Sequence, residues 1–445
     1  NYVRRLSKFG VKFDQVLEGL QMREQKGVLP PRFVIRRVLD EMIAFAGQPA
    51  VQNPLYTVFK EKIAALKLDQ PEQARLLADV ESQINTVVYP AYQKFITYFT
   101  ALETKATDDD GVWKLPDGAA FYAHCLRSNT TVALNPAQVH AIGLAEVERI
   151  EGEMKTILTS LGYPGVENAP RKLQEFATEE RFLYPNTDEG RSQALADYQR
   201  ILDDINANLD PLFAVRPKAA LKVARVPEFR EKTSAGAYYH PADLGGGRPG
   251  VFYANLRDMN EVAKFGMKTL AYHEGIPGHH FQLAIAMELR GVPFFRRLVP
   301  FTAYAEGWAL YAEKLVRESG AYADDPYSEL GCLDAELFRA VRLVVDTGIH
   351  AMRWTRQQAI DYMAQHTAQA PETIVSEVER YIVMPGQACA YKIGELKLLE
   401  LRQKARQALG DKFDLRQFHN VLLKNGSMPL SLLEQVVDES IKGVG

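Results

Sequence analysis

The chain has 445 residues, 47% of them hydrophobic, with 53 basic and 56 acidic side chains and a formal charge of -3 at pH 7. That is enough apolar material for one large core or two or three smaller ones, and the near balance of charge gives no electrostatic footprint for nucleic acid or an anionic membrane surface. No apolar run approaches the roughly 18 residues of a membrane span, and Cys125, Cys332 and Cys389 are too few and too scattered for a disulfide framework or a thiolate metal site.

Residues 1–105 carry helix-period apolar positions, with Phe33, Val34, Val38, Leu39, Met42 and Ile43 recurring at three- and four-residue spacing after Pro30-Pro31. A run of antiparallel helices follows, with Pro90 breaking or kinking one of them and Asp108-Asp109-Asp110-Gly111 forming an exposed turn. The division expected is an N-terminal helical region over 1–118 and a second helical domain, with the small sheet, over 119–445. Asn135-Pro136 opens a strong helix with cap and proline in the favoured order. Period-two alternation at Leu221–Val226, around Ala237-Tyr238-Tyr239, and over Gly250–Asn255 after a glycine turn at 245–247 predicts a small antiparallel sheet within about 219–256. From 261 onward the pattern is helical, over 261–275, 278–290, 300–319, 327–352, 355–366, 371–383 and 388–408 with two closing helices. The fold class is mainly α, a large multi-helix body with a minor sheet beside one special helix.

That helix carries Ala271-Tyr-His-Glu-Gly-Ile-Pro-Gly-His-His-Phe-Gln282, in which three of the chain's nine histidines fall within eight positions. In zinc hydrolases of the H-E-x-x-H type, histidines at i and i+4 share a helical face and the adjoining glutamate is the general base. Here i+4 is Pro277. On a straight helix of about 100° per residue, His279 would point roughly 240° from His273 and His280 would sit about 10 Å along the axis, whereas two nitrogens on one zinc lie within about 4 Å. A shared metal therefore needs a broken helix, and Pro277-Gly278 provides a break by removing a donor and freeing the backbone. Which of His279 and His280 joins His273 is left open by this geometry. The third ligand is sought on a neighbouring helix, and Glu306, amid small and aromatic residues in Tyr304-Ala-Glu-Gly-Trp-Ala309, is the leading candidate because a buried carboxylate needs a partner. Glu313, seven residues on and on the same face, is the next ligand candidate or a support to the ligands.

His273 through His280, taken with Ala305-Glu306-Gly307-Trp308-Ala309, resembles the bacterial family catalogued as domain of unknown function 885. Members of that family are regarded as relatives of gluzincin metallopeptidases, which hold zinc with two histidines and a downstream glutamate. The similarity runs from about residue 120 to the C-terminus and includes Asp346–His350, Arg380-Tyr381, Pro385–Gln387 and Tyr391-Lys392. The resemblance implies one Zn2+ ion held by His273, His279 and Glu306, with Glu274 as base, and His280 in a supporting role.

The function expected is hydrolysis of peptide or amide bonds, with a short peptide or an acyl amino acid as substrate. An oxyanion formed in that reaction needs a donor, and Tyr391, Tyr381 and His350 are the candidates, Tyr391 foremost. Arg380 and Lys392 are placed to hold a substrate carboxylate, and the sheet, with Tyr239 and Asn255, forms one wall of the cleft. Arg339, Arg342 and Arg353 read as solvated or helix-to-helix ion pairs. The rival readings are a zinc hydrolase of a non-peptide amide or ester, and a metal-containing binding protein without catalysis. The chain begins at Asn1 without methionine, which leaves the compartment open between the bacterial cell envelope or periplasm, if a leader has been removed, and the cytoplasm. The oligomeric state is not written in the sequence.

Overall fold

The structure, a computed structural model, describes residues 1–66, 68–232, 234–244, 247–299 and 301–444. It divides into two compact units, Asn1–Gly118 and Ala119–Gly445. No helix is long and apolar enough to cross a membrane among the described residues.

The first unit is helical throughout. In the helix Arg32–Ala46 the buried positions are Ile35, Leu39 and Met42, a face at spacings of four and three, and they pack on Phe95, Phe99 and Leu102 of the helix Tyr89–Glu103. Ile43, counted with the apolar stripe in the sequence, is 52% exposed. Pro90 does not break its helix. The chain widens into a π-type segment over Ile84–Val88, which accommodates the missing donor, and then continues as Tyr89–Glu103.

In the second unit, α1 (Pro136–Ser160) begins with Asn135 and Gln138 in a reciprocal capping box behind Pro136. Its partner is the buried helix α6 (Pro326–Ala351), approached so closely that a Cβ on Gly143 would lie 2.8 Å from Leu343 and Val344. Between them in sequence come α2 (Asp188–Ala207), strands β1 (Leu221–Arg225), β2 (Ala237–His240) and β3 (Gly250–Ala254), and helices α3 (Met267–Glu274), α4 (His279–Glu288) and α5 (Thr302–Glu318). The helices α7 (Pro371–Val383) and α8 (Ala390–Leu409) follow α6, and two more close the chain.

The sheet has the order β1-β3-β2. β2 and β3 pair antiparallel, with Tyr239 opposite Phe252, but β1 runs parallel to β3, with Leu221 opposite Gly250. The sheet is thus mixed rather than antiparallel, because the chain crosses over between β1 and β3 and places β2 on the far side. The expected turn at 245–247 lies partly outside the described residues, at Gly245 and Gly246. Gly250, Phe252 and Ala254 of β3 face inward, and Phe252 meets Tyr198 of α2 edge to face at 5.0 Å. This contact seats the sheet beside α3 and α4.

Candidate metal centre

The His-Glu segment is a broken helix. It is two helices, α3 ending at Glu274 and α4 starting at His279, joined through a cis Ile276-Pro277 bond. Gly278 is required by close approach: a Cβ there would sit 2.0 Å from the carbonyl oxygen of His273 and 2.2 Å from that of Tyr272. Trp308 of α5 donates its indole N–H to the Pro277 carbonyl at 2.9 Å and is itself buried, so a large side chain fixes the bend from outside.

The bend brings His279 back to His273, with ring centroids 4.7 Å apart and planes nearly perpendicular. Glu306, on the second turn of α5, meets both: its Oε2 is 3.6 Å from His273 Nε2 and 3.3 Å from His279 Nε2. One ligating atom from each of the three lies within 4.8 Å of the others, the only such group among the described residues. His273 Nδ1–H donates to Glu313 Oε1 at 2.6 Å, which fixes the tautomer and turns Nε2 toward the other two side chains. Glu306 Oε2 and His279 Nδ1 are buried without hydrogen-bond partners. A buried acceptor left in that state is costly, and a divalent ion on this donor set of two imidazoles and a carboxylate would satisfy it. The residues fit the ion. Burial pushes the Glu306 carboxyl up, yet the charges of His279 and His273 beside it hold it well below the usual carboxylate range. Burial lowers the His273 imidazole, but the nearby Glu306 carboxylate and the hydrogen-bonded Glu313 raise it to about 9, so in the metal-free trio a proton balances the carboxylates.

Glu274 is the last residue of α3, next to His273 and 8% exposed. His280 turns away to the sheet, where its Nδ1 lies 3.0 Å from the Tyr239 hydroxyl and it makes a backbone hydrogen bond to Ala219. Burial depresses this imidazole to about 4, so it is neutral. The Tyr239 hydroxyl is thus tied to His280. Glu313, considered above as a ligand or a support, is the support.

Tyr391 is partly buried near the start of α8, and both burial and the Glu306 carboxylate raise its hydroxyl, which keeps it protonated as a donor. Its helix meets α5 at a crossing of two glycines: a Cβ on Gly307 would lie 2.5 Å from the Gly394 Cα, and one on Gly394 2.2 Å from the Ala303 carbonyl oxygen. Nothing thicker than backbone separates the two helices beside Glu306.

Four expectations need correcting. Tyr381 is fully buried and its hydroxyl is spent, donating to Glu377 at 2.6 Å and accepting from Arg342 Nε at 3.0 Å. His350 is 1% exposed with Nε2 at 3.0 Å from the Tyr381 carbonyl oxygen. Lys392 is 1% exposed and paired with Glu336, Glu395 and Glu146, a cluster with no room for a substrate carboxylate. Asn255 ties a loop together, its Nδ2 donating to the Glu231 carbonyl at 2.8 Å and to that of Ser234 at 3.2 Å. Arg380 stays half-buried beside Glu377 and Gln387. Arg342, read with Arg339 and Arg353 as an ion-pairing arginine, turns inward and pairs with Glu377 of α7; nothing in the spacing of charges along α6 marks which of the arginines does so.

A family profile described as "Bacterial protein of unknown function (DUF885)" matches residues 1–437, a wider span than the stretch from about residue 120. Among solved structures, that of the "putative lipoprotein from Colwellia psychrerythraea" is 39% identical at a TM-score of 0.95, over 99% of this chain and 75% of that one. A "putative lipoprotein of unknown function from Shewanella oneidensis" shares the fold at a TM-score of 0.69 and 19% identity, over 89% of this chain and 73% of that one. No curated protein matches the chain.

Proposed function

The chain belongs to the bacterial family of unknown function DUF885, and on that premise we propose that it is a zinc-dependent hydrolase of peptide or amide bonds. The observation that carries this reading is the convergence of His273, His279 and Glu306 within 4.8 Å, with Glu313 orienting the first imidazole. His273, His279 and Glu306 would hold the ion, which would supply Lewis-acid chemistry, making a nearby water more acidic and a carbonyl more electrophilic. Glu274, adjoining His273 without belonging to the trio, removes a proton from the attacking water. As the C–N bond breaks, the same carboxyl delivers that proton to the departing nitrogen. Tyr391, protonated and near Glu306, donates to the oxygen that gains charge in the transition state. Loss of a general base typically costs about 10²–10⁴-fold in rate. Glu274→Gln should therefore lower kcat on peptide substrates by that factor while leaving bound zinc, measured by elemental analysis, at one per chain. A variant as fast as the parent removes Glu274 from the reaction, and a parent chain that takes up no zinc removes the hydrolase reading.

The same pocket would serve a non-peptide amide or ester, which profiling against matched ester, acyl-amide and peptide substrates distinguishes. The name of the Colwellia neighbour, a "putative lipoprotein", supports placing the chain in the cell envelope. Fractionation of cells expressing the full-length protein checks that placement.

A further inference from the structure

Resting on the hydrolase reading, we propose that Arg342 and Arg380, together with Tyr391, form a subsite for the free C-terminal carboxylate of the substrate. The chain then works on short peptides or N-acyl amino acids from the carboxyl end. Two guanidinium groups share one carboxylate here: Arg342 Nη2 lies 3.0 Å and Arg380 Nη2 2.8 Å from Glu377 Oε2. Two cations against one anion leave the group with an excess positive charge. Buried arginines elsewhere in the unit are treated differently, since Arg149 is shared among Glu146, Glu153 and Glu336, and Arg317 between Glu153 and Glu329.

Arg342 also has an idle donor. Its Nη1 is buried with no hydrogen-bond partner, while the residue as a whole is 7% exposed. A charged donor left in that condition raises the free energy of the fold unless something outside the chain accepts from it, and a carboxylate offers the planar geometry a guanidinium matches. The guanidinium lies between the Phe338 ring, at 4.3 Å, and the Tyr391 ring, at 4.5 Å. Tyr391 stands about one helical turn before Gly394, the residue that touches Gly307 beside Glu306. Tyr391 thus bridges the positive group and the metal-binding trio, close enough that the charges of Glu306, Arg342 and Arg380 all act on its hydroxyl.

The test compares N-acetyl-alanyl-alanine with its C-terminal amide, using calorimetric affinities for zinc-loaded Glu274→Gln protein and initial rates for the parent. The acid should bind at least about tenfold more tightly than the amide, the gain from one charge-assisted pairing. Arg380→Gln and Arg342→Lys should each bring that ratio towards one by weakening the acid alone. Arg342 is in the core, so thermal unfolding accompanies each variant; if Arg342→Lys fails to fold, Arg380→Gln decides, its side chain being 28% exposed. Equal affinities, or no binding of either peptide, overturn the subsite. Preferential binding of the acid without turnover of any peptide, amide or ester leaves the subsite standing and removes the hydrolase reading. Equal affinity with equal cleavage of both peptides does the reverse.

Discussion

Two clusters of buried charge are carried by the helices that cross at Gly307 and Gly394, and they are built on opposite principles. Around Lys392 every partner is present: its Nζ sits 2.7 Å from Glu336, 2.8 Å from Glu395 and 3.0 Å from Glu146, and Arg149 reaches the same Glu336. Around His273, His279 and Glu306 a carboxylate oxygen and a ring nitrogen have no partner. Burial of charge is common to both, so it does not separate a functional site from a structural one. What separates them is whether the chain itself completes the coordination of its polar atoms.

The contrast is open to direct attack. Lys392→Met takes the paired cation from Glu395 and leaves Glu336 and Glu146 to Arg149 alone, and removal of one partner from such a buried pair costs about 3–5 kcal/mol; denaturant unfolding should show that loss, with zinc uptake retained in whatever fraction folds. Zinc is the complementary probe. At 100 to 1,000 times its dissociation constant it should stabilise the parent by about 3–4 kcal/mol, reversibly with chelator, and Glu306→Gln should abolish most of that gain.

His419 extends the comparison to a neutral group of the completed kind. Its Nε2 lies 2.8 Å from the Tyr311 hydroxyl, its Nδ1 2.8 Å from the Leu212 carbonyl oxygen, and burial depresses the imidazole from 6.5 to about 4. Between those values the unfolded chain binds a proton that the folded chain refuses. Stability is therefore full above pH 6.5 and falls as pH drops towards 4, by about 3 kcal/mol. A His419→Gln variant should lose this component of the pH dependence in urea titrations at pH 7, 5.5 and 4.5. The smallest effect is expected at the bend. Trp308→Phe strands the Pro277 carbonyl, which costs about 1–2 kcal/mol, and should weaken zinc binding measurably by loosening the approach of His279.

The two clusters also differ in how far the sequence discloses them. The metal trio lies in two short runs whose residue types are unusual together, and the need to fold His279 back on His273 follows from helix geometry alone. The means was not legible. Gly278 serves a backbone approach to Tyr272 and His273 carbonyls, and Trp308 clamps the bend from a helix about 30 residues on, contacts that appear only when α3, α4 and α5 are packed. Lys392 misled for the same reason. A lysine beside a tyrosine near a Pro-Gly bend looks like a substrate cation, and its counter-charges, Glu146 and Glu336, come from α1 and α6, far away in sequence. The helical class could be read from apolar periodicity, and the three strands from alternation. Strand direction could not, because a period of two reports which side chains face inward and says nothing of the neighbour's polarity.

The meeting of Gly307 and Gly394 has a bearing on how this scaffold can change. Glu306 rides on one helix and Tyr391 on the other, and at their point of contact there is no side chain to trim. The gap between carboxylate and phenol is consequently a backbone dimension. Enlarging either glycine pries the two helices apart and shifts Glu306 and Tyr391 together, so new specificities are more accessible through side chains away from this crossing than through the crossing itself.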